Sequence, residues 1–435
     1  MTGSRQLIRE RVGLVSLICL HIVVCCISLT CVAYLKPVYH LLFDPTRLLA
    51  AIVTVAAFAL VGLLFAYAEF SVGYFVGFHF FTMVAGYLWI NFFSDFSYNH
   101  QLSALSATAS AIAFLLPALS IRAPIRQIRV ISPAAFDRLL MLILLFAIVA
   151  IMFAASYNFR LVALDDIYDF RDELAFPVIL NYLISITSSA LLPFVFACYL
   201  ARKYMWRAAI VLVLLTLFYP ITLSKVALFT PIWLLFFALL SRIFEVKITV
   251  ILSLLLPLAA GLILLTLFRM GLLPQEPTLT YFGVVNFRMV AVPSIGLDFY
   301  SDFFSRHDVT WFCQLKVLKS LISCPYQDPL AIEIYKANGI GGNFNASLFA
   351  TEGIASVGAL FAPIAVFACG LVVALANRLT AGLPPRFILI SGAILPQILL
   401  NVPLTITLLT HGAAFLFLLW YITPRAIFEQ ESAPV

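Results

Sequence analysis

VGLVSLICLHIVVCCISLTCVAYL, residues 12–35, decides the fold class. It holds no Asp, Glu, Lys or Arg. As a helix rising about 1.5 Å per residue it reaches about 36 Å, more than the roughly 30 Å of a bilayer's hydrocarbon core. It is also too long for the apolar region of a cleavable signal, about 7–15 residues, and no small-x-small site precedes Lys36. The stretch is therefore expected to stay in the membrane as a signal anchor.

Runs of this kind recur along the chain. Of its 435 residues 63% are hydrophobic and 11% charged, and the mean hydropathy is +1.08. Backbone groups in lipid must bond within their own segment, so the runs are predicted to be helices. They lack the alternation of a membrane β-barrel. The predicted class is an all-α polytopic membrane protein forming one integral membrane domain.

The runs divide into twelve predicted spans: 12–35, 47–68, 71–92, 102–121, 137–156, 177–200, 207–223, 225–241, 248–268, 348–377, 386–408 and 410–423. Pro220 and Lys225 interrupt the 207–241 region, which reads as a hairpin or a broken helix. With twelve alternating spans, the basic residues of the short loops fall on one side: Arg5, Arg9 and Arg11; Arg122, Arg126 and Arg129; Arg202, Lys203 and Arg207; Arg242 and Lys247; Arg378 and Arg386. That side reads as cytoplasmic, with both termini there. The formal charge of +6 reflects mostly these residues.

Two loops on the opposite side are long enough to expect function from them. The first, 157–176, contains DDIYDFRDEL at 165–174, five acids around Arg171. That arginine is either a solvated loop residue paired to Asp169, Asp172 or Glu173, or an anion-binding guanidinium positioned by them; its planar fork of donors suits phosphate oxygens. Lys225, in YPITLSKVALFTPI, either snorkels to the interface or serves as a functional cation, since a lysine at the bilayer centre costs roughly 2.5–3.5 kcal/mol.

The second loop, 269–347, begins with Arg288 in an apolar run and continues through Asp298, Tyr300 and Asp302 to Arg306 and His307. Interfacial placement explains the aromatics there but not Arg288. WFCQLKVLKSLIS, 311–323, has the spacing of an amphipathic surface helix, with Trp311, Phe312, Leu315, Leu318 and Ile322 apolar and Lys316 and Lys319 between them. Such a helix holds Cys313 and Cys324 roughly 16 Å apart, so no bridge between them is expected. Asn343 and Asn345 are candidates for capping or for sugar hydroxyls, and Glu352 lies near the membrane face. The other six cysteines, Cys19, Cys25, Cys26, Cys31, Cys198 and Cys369, fall in apolar runs as ordinary packing residues.

No phosphate-binding glycine loop, dinucleotide fingerprint, HExxH or Cys/His array is present, so ATP-driven and zinc-dependent readings have no residues to stand on. No cofactor, metal or nucleic-acid partner is called for.

Four stretches carry a resemblance to the bacterial oligosaccharide repeat-unit polymerases, the Wzy or O-antigen polymerase type. IYDFRDEL (167–174) resembles that family's tyrosine-x-x-arginine stretch. TLSKVAL (222–228) resembles its small basic motif, with lysine where arginine is common. FRMVAVPSIGLDFYSDFF (287–304) and GNFNASLFATEGIASVGALFAP (342–363) resemble the two ends of its large external loop. The overall layout of spans and loops is similar as well.

The resemblance implies a glycosyltransferase of the bacterial inner membrane. It would move a growing glycan from undecaprenyl pyrophosphate to a sugar hydroxyl of another lipid-linked unit, among membrane lipids and in company with a chain-length regulator. In this reading Arg171, Arg288 and Lys225 are the cations for the leaving pyrophosphate. His307, Asp302 and Glu352 are the candidate bases, and Tyr168, Tyr300, Asn343 and Asn345 contact substrate. A glycan ligase would use the same donor with a different acceptor. A polyprenyl-phosphate sugar transferase would want more acid than the single Asp44 of LKPVYHLLFDPTR. A transporter would favour repeated halves, which the single late loop does not suggest.

Overall fold

Hydrocarbon leaves a backbone few choices, and the apolar runs fold as helices. The computed structural model describes residues 2–36, 39–128, 130–162, 167, 170, 174, 176–315, 323–339 and 346–429, with side chains from residue 8 onward. Eleven helices among the described residues are long and apolar enough to cross a membrane. They are α1 (Ile8–Leu35), α2 (Pro45–Tyr67), α3 (Val72–Ile90), α4 (His100–Ser120), α5 (Pro133–Ala155), α6 (Val178–Ala201), α7 (Met205–Thr222), α8 (Lys225–Ile243), α9 (Val246–Arg269), α10 (Gln275–Arg306) and, after the short α11 (Leu330–Asn338), α12 (Phe349–Thr380). The protein is an all-α, multi-pass membrane protein. Helices α1 to α9 fall on the first nine apolar runs, and the 207–241 region is a hairpin.

Two expectations about the spans are corrected. The run 386–408 is not one span but α13 (Pro385–Ser391), α14 (Leu395–Leu399) and α15 (Leu404–Leu409). Pro396 and Pro403 each remove a backbone donor and clash with the preceding turn. After Gly412, at φ +75°, follows α16 (Ala413–Ile422). The second correction is α10, which occupies the start of the segment predicted to be a loop.

The chain forms two compact units. One comprises Met1–Ile121, Lys247–Ala374 and Leu399–Leu404; the other comprises Arg122–Val246, Leu375–Ile398 and Thr405–Val435. In the first, α3 is buried along its whole length and packs against α1, α2, α4 and α10. The Arg11 guanidinium lies 4.7 Å from the Tyr67 ring and the Lys247 ammonium 5.9 Å from that of Tyr74. The starts of α1, α3 and α9 and the end of α2 thus share one face.

In the second unit, the end of α12 meets the segment that follows α4. Arg378 Nε donates to Ala123 O at 3.0 Å, and Ile125 N–H donates to Arg378 O at 3.3 Å. Arg425 closes the same region, donating to Trp420 O, Leu379 O and Ala381 O at 2.8, 2.8 and 3.1 Å. These bonds satisfy carbonyls that helix ends leave orphaned.

Residues 123–125 and Arg378 therefore lie on one face, and an even number of crossings must separate them. Helices α5 to α9 and α12 supply six; counting α10 as a crossing would make the number odd. The neighbours of α10 agree that it begins and ends on one side. It runs back along α9, with Tyr281 Oη donating to Pro257 O at 3.2 Å and Asn286 Nδ2 to Leu258 O at 2.9 Å. Pro257 lies about 18 Å below the Arg269 end of α9 at 1.5 Å per residue. The helix then widens into a π-helical stretch, Gly283–Ala291. It passes Met83, whose carbonyl accepts from Ser294 Oγ at 2.9 Å. It finishes beside the α3–α4 loop, where the Phe299 and Phe96 rings are 4.9 Å apart. The approach to α9 is close enough that a Cβ on Gly261 would stand 1.8 Å from Asn286 Oδ1.

After α10 the first residues of the predicted amphipathic helix form a turn. Trp311 and Phe312 adopt φ of +48° and +63°, so the backbone turns; residues 316–322 lie outside the described residues. The turn brings Cys313 and Cys324 into a disulfide with Cα atoms 5.3 Å apart, correcting the expectation of two free thiols. The other six cysteines are unbridged. Thr310 and Trp311 donate their N–H groups to Ala355 O and Ser356 O at 2.8 and 3.0 Å. Those carbonyls are freed because α12 breaks at Gly358, whose φ of +77° suits glycine.

The topology makes a prediction. After reduction, Cys324, which is partly exposed, is expected to react with a membrane-impermeant maleimide from one side of the membrane. A cysteine introduced as Ala381→Cys, beside Arg378, should react only from the other. Labelling of both from the same side would show that α10 makes a net crossing.

Candidate functional site

In the second unit, the loop 157–176 is fastened to the α7–α8 turn. Helix α7 ends with carbonyls that have no partner in the helix, and the loop caps them. Asn158 Nδ2 donates to Ile221 O at 2.9 Å and to Pro220 O at 3.2 Å, and Arg160 N–H donates to Pro220 O at 2.9 Å. Tyr219 Oη donates to Val162 O. Ile167 is buried against Tyr219 and Leu223, with Val162, Leu174 and Leu228 packed around them. Phe170 lies under the Arg160 guanidinium at 5.8 Å.

Ile167 and Leu174 thus pack at the turn that leads into α8. Leu223, at φ +46°, reverses the chain. Lys225 is the first residue of α8 and half-buried. Ser224 makes no side-chain capping bond to the helix. The N-terminal end of α8 carries the positive pole of its peptide dipoles, so Lys225 adds its charge to an end that already favours anions. Tyr168 and Arg171 lie outside the described residues, as do Asn343 and Asn345.

In the first unit, Arg288, Tyr300 and Asp302 lie on α10 with His307 just after it, and Glu352 lies at the start of α12, which packs against the 292–306 part of α10. Arg288 is exposed on the π-helical stretch; Tyr300, Asp302 and Glu352 are buried. Glu352 Oε2 accepts from the Thr351 hydroxyl at 2.5 Å. Asp302 is ion-paired with Arg306 one turn on, leaving its Oδ1 buried without a hydrogen bond.

His307 differs from these acids. It is exposed, its ring stacks on Phe303 at 4.0 Å, and Nδ1 lies 2.8 Å from Phe303 O. A carbonyl only accepts, so Nδ1 carries the proton and Nε2 presents a lone pair. Among the three candidate bases it alone combines exposure with a basic atom left open by its own hydrogen bond.

Sequence reasoning missed a buried network beside these residues. Asp298 accepts from Tyr98 Oη. Tyr98 Oη also lies 3.1 Å from Tyr87 Oη and 2.9 Å from Asn91 Oδ1. Asn91 Oδ1 lies in turn 2.9 Å from His100 Nδ1, and Tyr87 Oη lies 3.5 Å from Ser301 Oγ. Burial and the Asp298 carboxyl push the Tyr98 phenol well above its ordinary pKa, so it remains a donor. Asp298 Oδ2 is buried without a hydrogen bond, a cost of about 1–3 kcal/mol for such a group. The only trace in the sequence is the cluster of polar residues in NFFSDFSYNH; its partner stands 200 residues away.

Above this network lies a hollow of 440 Å³ between the α1–α2 and α3–α4 connections, with Asp44, Arg47, Asp95 and His100 in its lining. Asp44 accepts from the Thr46 hydroxyl and N–H at 2.7 and 2.9 Å, which holds its carboxyl below the usual range.

No family model, curated protein or solved structure matches the chain. No group of three or more His, Cys, Asp or Glu suited to a metal ion occurs among the described residues.

Proposed function

We propose that the protein is an oligosaccharide repeat-unit polymerase of the bacterial plasma membrane. It moves a growing glycan from undecaprenyl pyrophosphate to a sugar hydroxyl of another lipid-linked unit. One observation carries the reading: Ile167 and Leu174 of the 157–176 loop pack against Tyr219, Leu223 and Leu228 at the turn that presents Lys225 at the start of α8. Breaking a glycosyl–pyrophosphate bond gathers negative charge on the leaving group. Fixed cations and a helix N-terminus stabilise that charge more in the transition state than in the ground state. In the second unit Lys225 is such a cation, to which the resemblance adds Arg171; in the first unit Arg288 is an exposed cation and His307 Nε2 an open base for an acceptor hydroxyl. A disulfide in the segment after α10 is in keeping with an oxidising, extracytoplasmic setting for the reaction.

Surface glycan from cells lacking the protein tests the reading. Single repeat units are expected to persist on the surface while the ladder of longer chains disappears. Loss of all surface glycan would point to export or ligation instead, and an unchanged ladder would end the proposal.

A further inference from the structure

The hollow between the α1–α2 and α3–α4 connections has no part in the cation-and-base scheme, yet it has the form of a built site. Its walls are tied by backbone bonds: Leu42 N–H donates to Phe93 O at 2.8 Å and Asp95 N–H to His40 O at 2.9 Å, with Leu41 and Ser94 bridged between them. At 440 Å³ it falls within the range of small-molecule sites, about 300–1,000 Å³. Walls fixed before a ligand arrives lower the ordering cost of binding.

Its chemistry selects a class of ligand. Asp44 is fully engaged as a cap for Thr46 and as the partner of Arg47, whose Nε lies 3.3 Å away. Arg47 Nη1 donates to Phe92 O at 3.2 Å, and its remaining N–H groups are donors in the lining. Asp95 is exposed, and among the described residues its carboxylate makes no hydrogen bond or ion pair. Ser94 adds a hydroxyl and Phe96 an aromatic ring.

The lining sets two carboxylates against one guanidinium, a poor match for a phosphate or pyrophosphate. Acceptors, donors and an aromatic ring set together instead suit a ring bearing many hydroxyls on its edge and C–H groups on its face. The Phe96 ring lies 4.9 Å from Phe299, so the hollow backs directly onto the part of α10 that carries Asp298, Tyr300 and Asp302.

We infer that this hollow is a carbohydrate subsite, which holds one sugar ring of the acceptor unit through Asp95 and Arg47, beside the Phe96 ring. The assignment of the ring to the acceptor rests on the polymerase reading; the sugar chemistry of the hollow does not.

Saturation-transfer NMR on the full-length protein in detergent tests it. The probes are the methyl glycosides of glucose, galactose and N-acetylglucosamine, with pyrophosphate and calcium as competitors. At least one glycoside is expected to bind, neither competitor to displace it, Asp95→Asn to weaken it about ten-fold, the worth of one hydrogen bond to a charged group, and Phe96→Ala to weaken it as well. Asp95 is exposed, so its amide variant keeps the fold. The inference is overturned if no glycoside binds, if both variants bind as the wild type does, or if pyrophosphate or calcium occupies the hollow. The two readings fail separately. Glycoside binding lost in the variants, with a normal ladder in cells lacking the protein, keeps the subsite and ends the polymerase. A ladder that needs the protein, with no glycoside bound, does the reverse.

Discussion

Lys225→Met is expected to slow chain growth about 100-fold or more, the scale on which a group stabilising transition-state charge acts, and to reduce the surface-glycan ladder to single units. Lys225→Arg should keep most of the ladder, since it keeps the charge. Placement is the reason for so large an effect. Lys225 opens α8, where its ammonium adds to the helix dipole, and the anchored loop lies over the same turn. Methionine has similar length and no charge. It removes the cost of holding a cation near hydrocarbon, so it should not impair insertion. A lost ladder at matched membrane levels then reports on the charge. A normal ladder in Lys225→Met would mean that the lysine only snorkels to the interface, and the cation scheme would lose its best-placed member.

The fold was legible wherever one property decides it. Helices α1 to α9 follow from hydropathy, because a backbone in lipid has no other way to satisfy its polar groups. Helix α10 did not, for the same reason turned round. Its window averages only 1.2 on the hydropathy scale, because Asn286, Ser294, Asp298 and Asp302 are polar. They are tolerated because they face protein: Asn286 donates to Ser28 Oγ at 3.0 Å and Ser294 to Met83 O at 2.9 Å. Hydropathy records what a side chain is and not what it touches. The disulfide was missed on similar grounds. The apolar spacing of WFCQLKVLKSLIS suggested a helix from Trp311, and the left-handed turn at Trp311 and Phe312 that replaces its start has no local signal, since neither residue favours that conformation.

The candidate site divides along the same line. Lys225 stood out because a charge in an apolar run is conspicuous. The fastening of the loop by Asn158 and Ile167 did not, because capping a distant helix end leaves no mark in the capping residue's own neighbourhood. Asp298 was seen as one acid among several. Its link to Tyr98 joins the second half of α10 to the end of the α3–α4 connection, and a single sequence carries nothing that pairs them.

His307→Gln should lower the rate of polymerisation by purified protein about 100-fold or more, within the range of general-base contributions, while the affinity for the lipid-linked donor changes less than about two-fold. Glutamine is the informative choice. Its amide can donate to Phe303 O as the Nδ1–H group does, and its planar end can lie on the Phe303 ring, but it offers no basic nitrogen. A residue that merely positions the end of α10 would therefore be replaced well by glutamine and poorly by alanine. A base would be lost equally with either. Asp302→Asn is the contrast: it weakens the ion pair to Arg306 inside packed helix, so its damage should appear as lower protein in the membrane rather than as a slower step per molecule. If His307→Gln polymerises at the wild-type rate while His307→Ala does not, the imidazole is a structural cap. The proton of the acceptor hydroxyl must then go to Glu352 or Asp302, whose burial would require α10 or the start of α12 to open before the sugar could reach them.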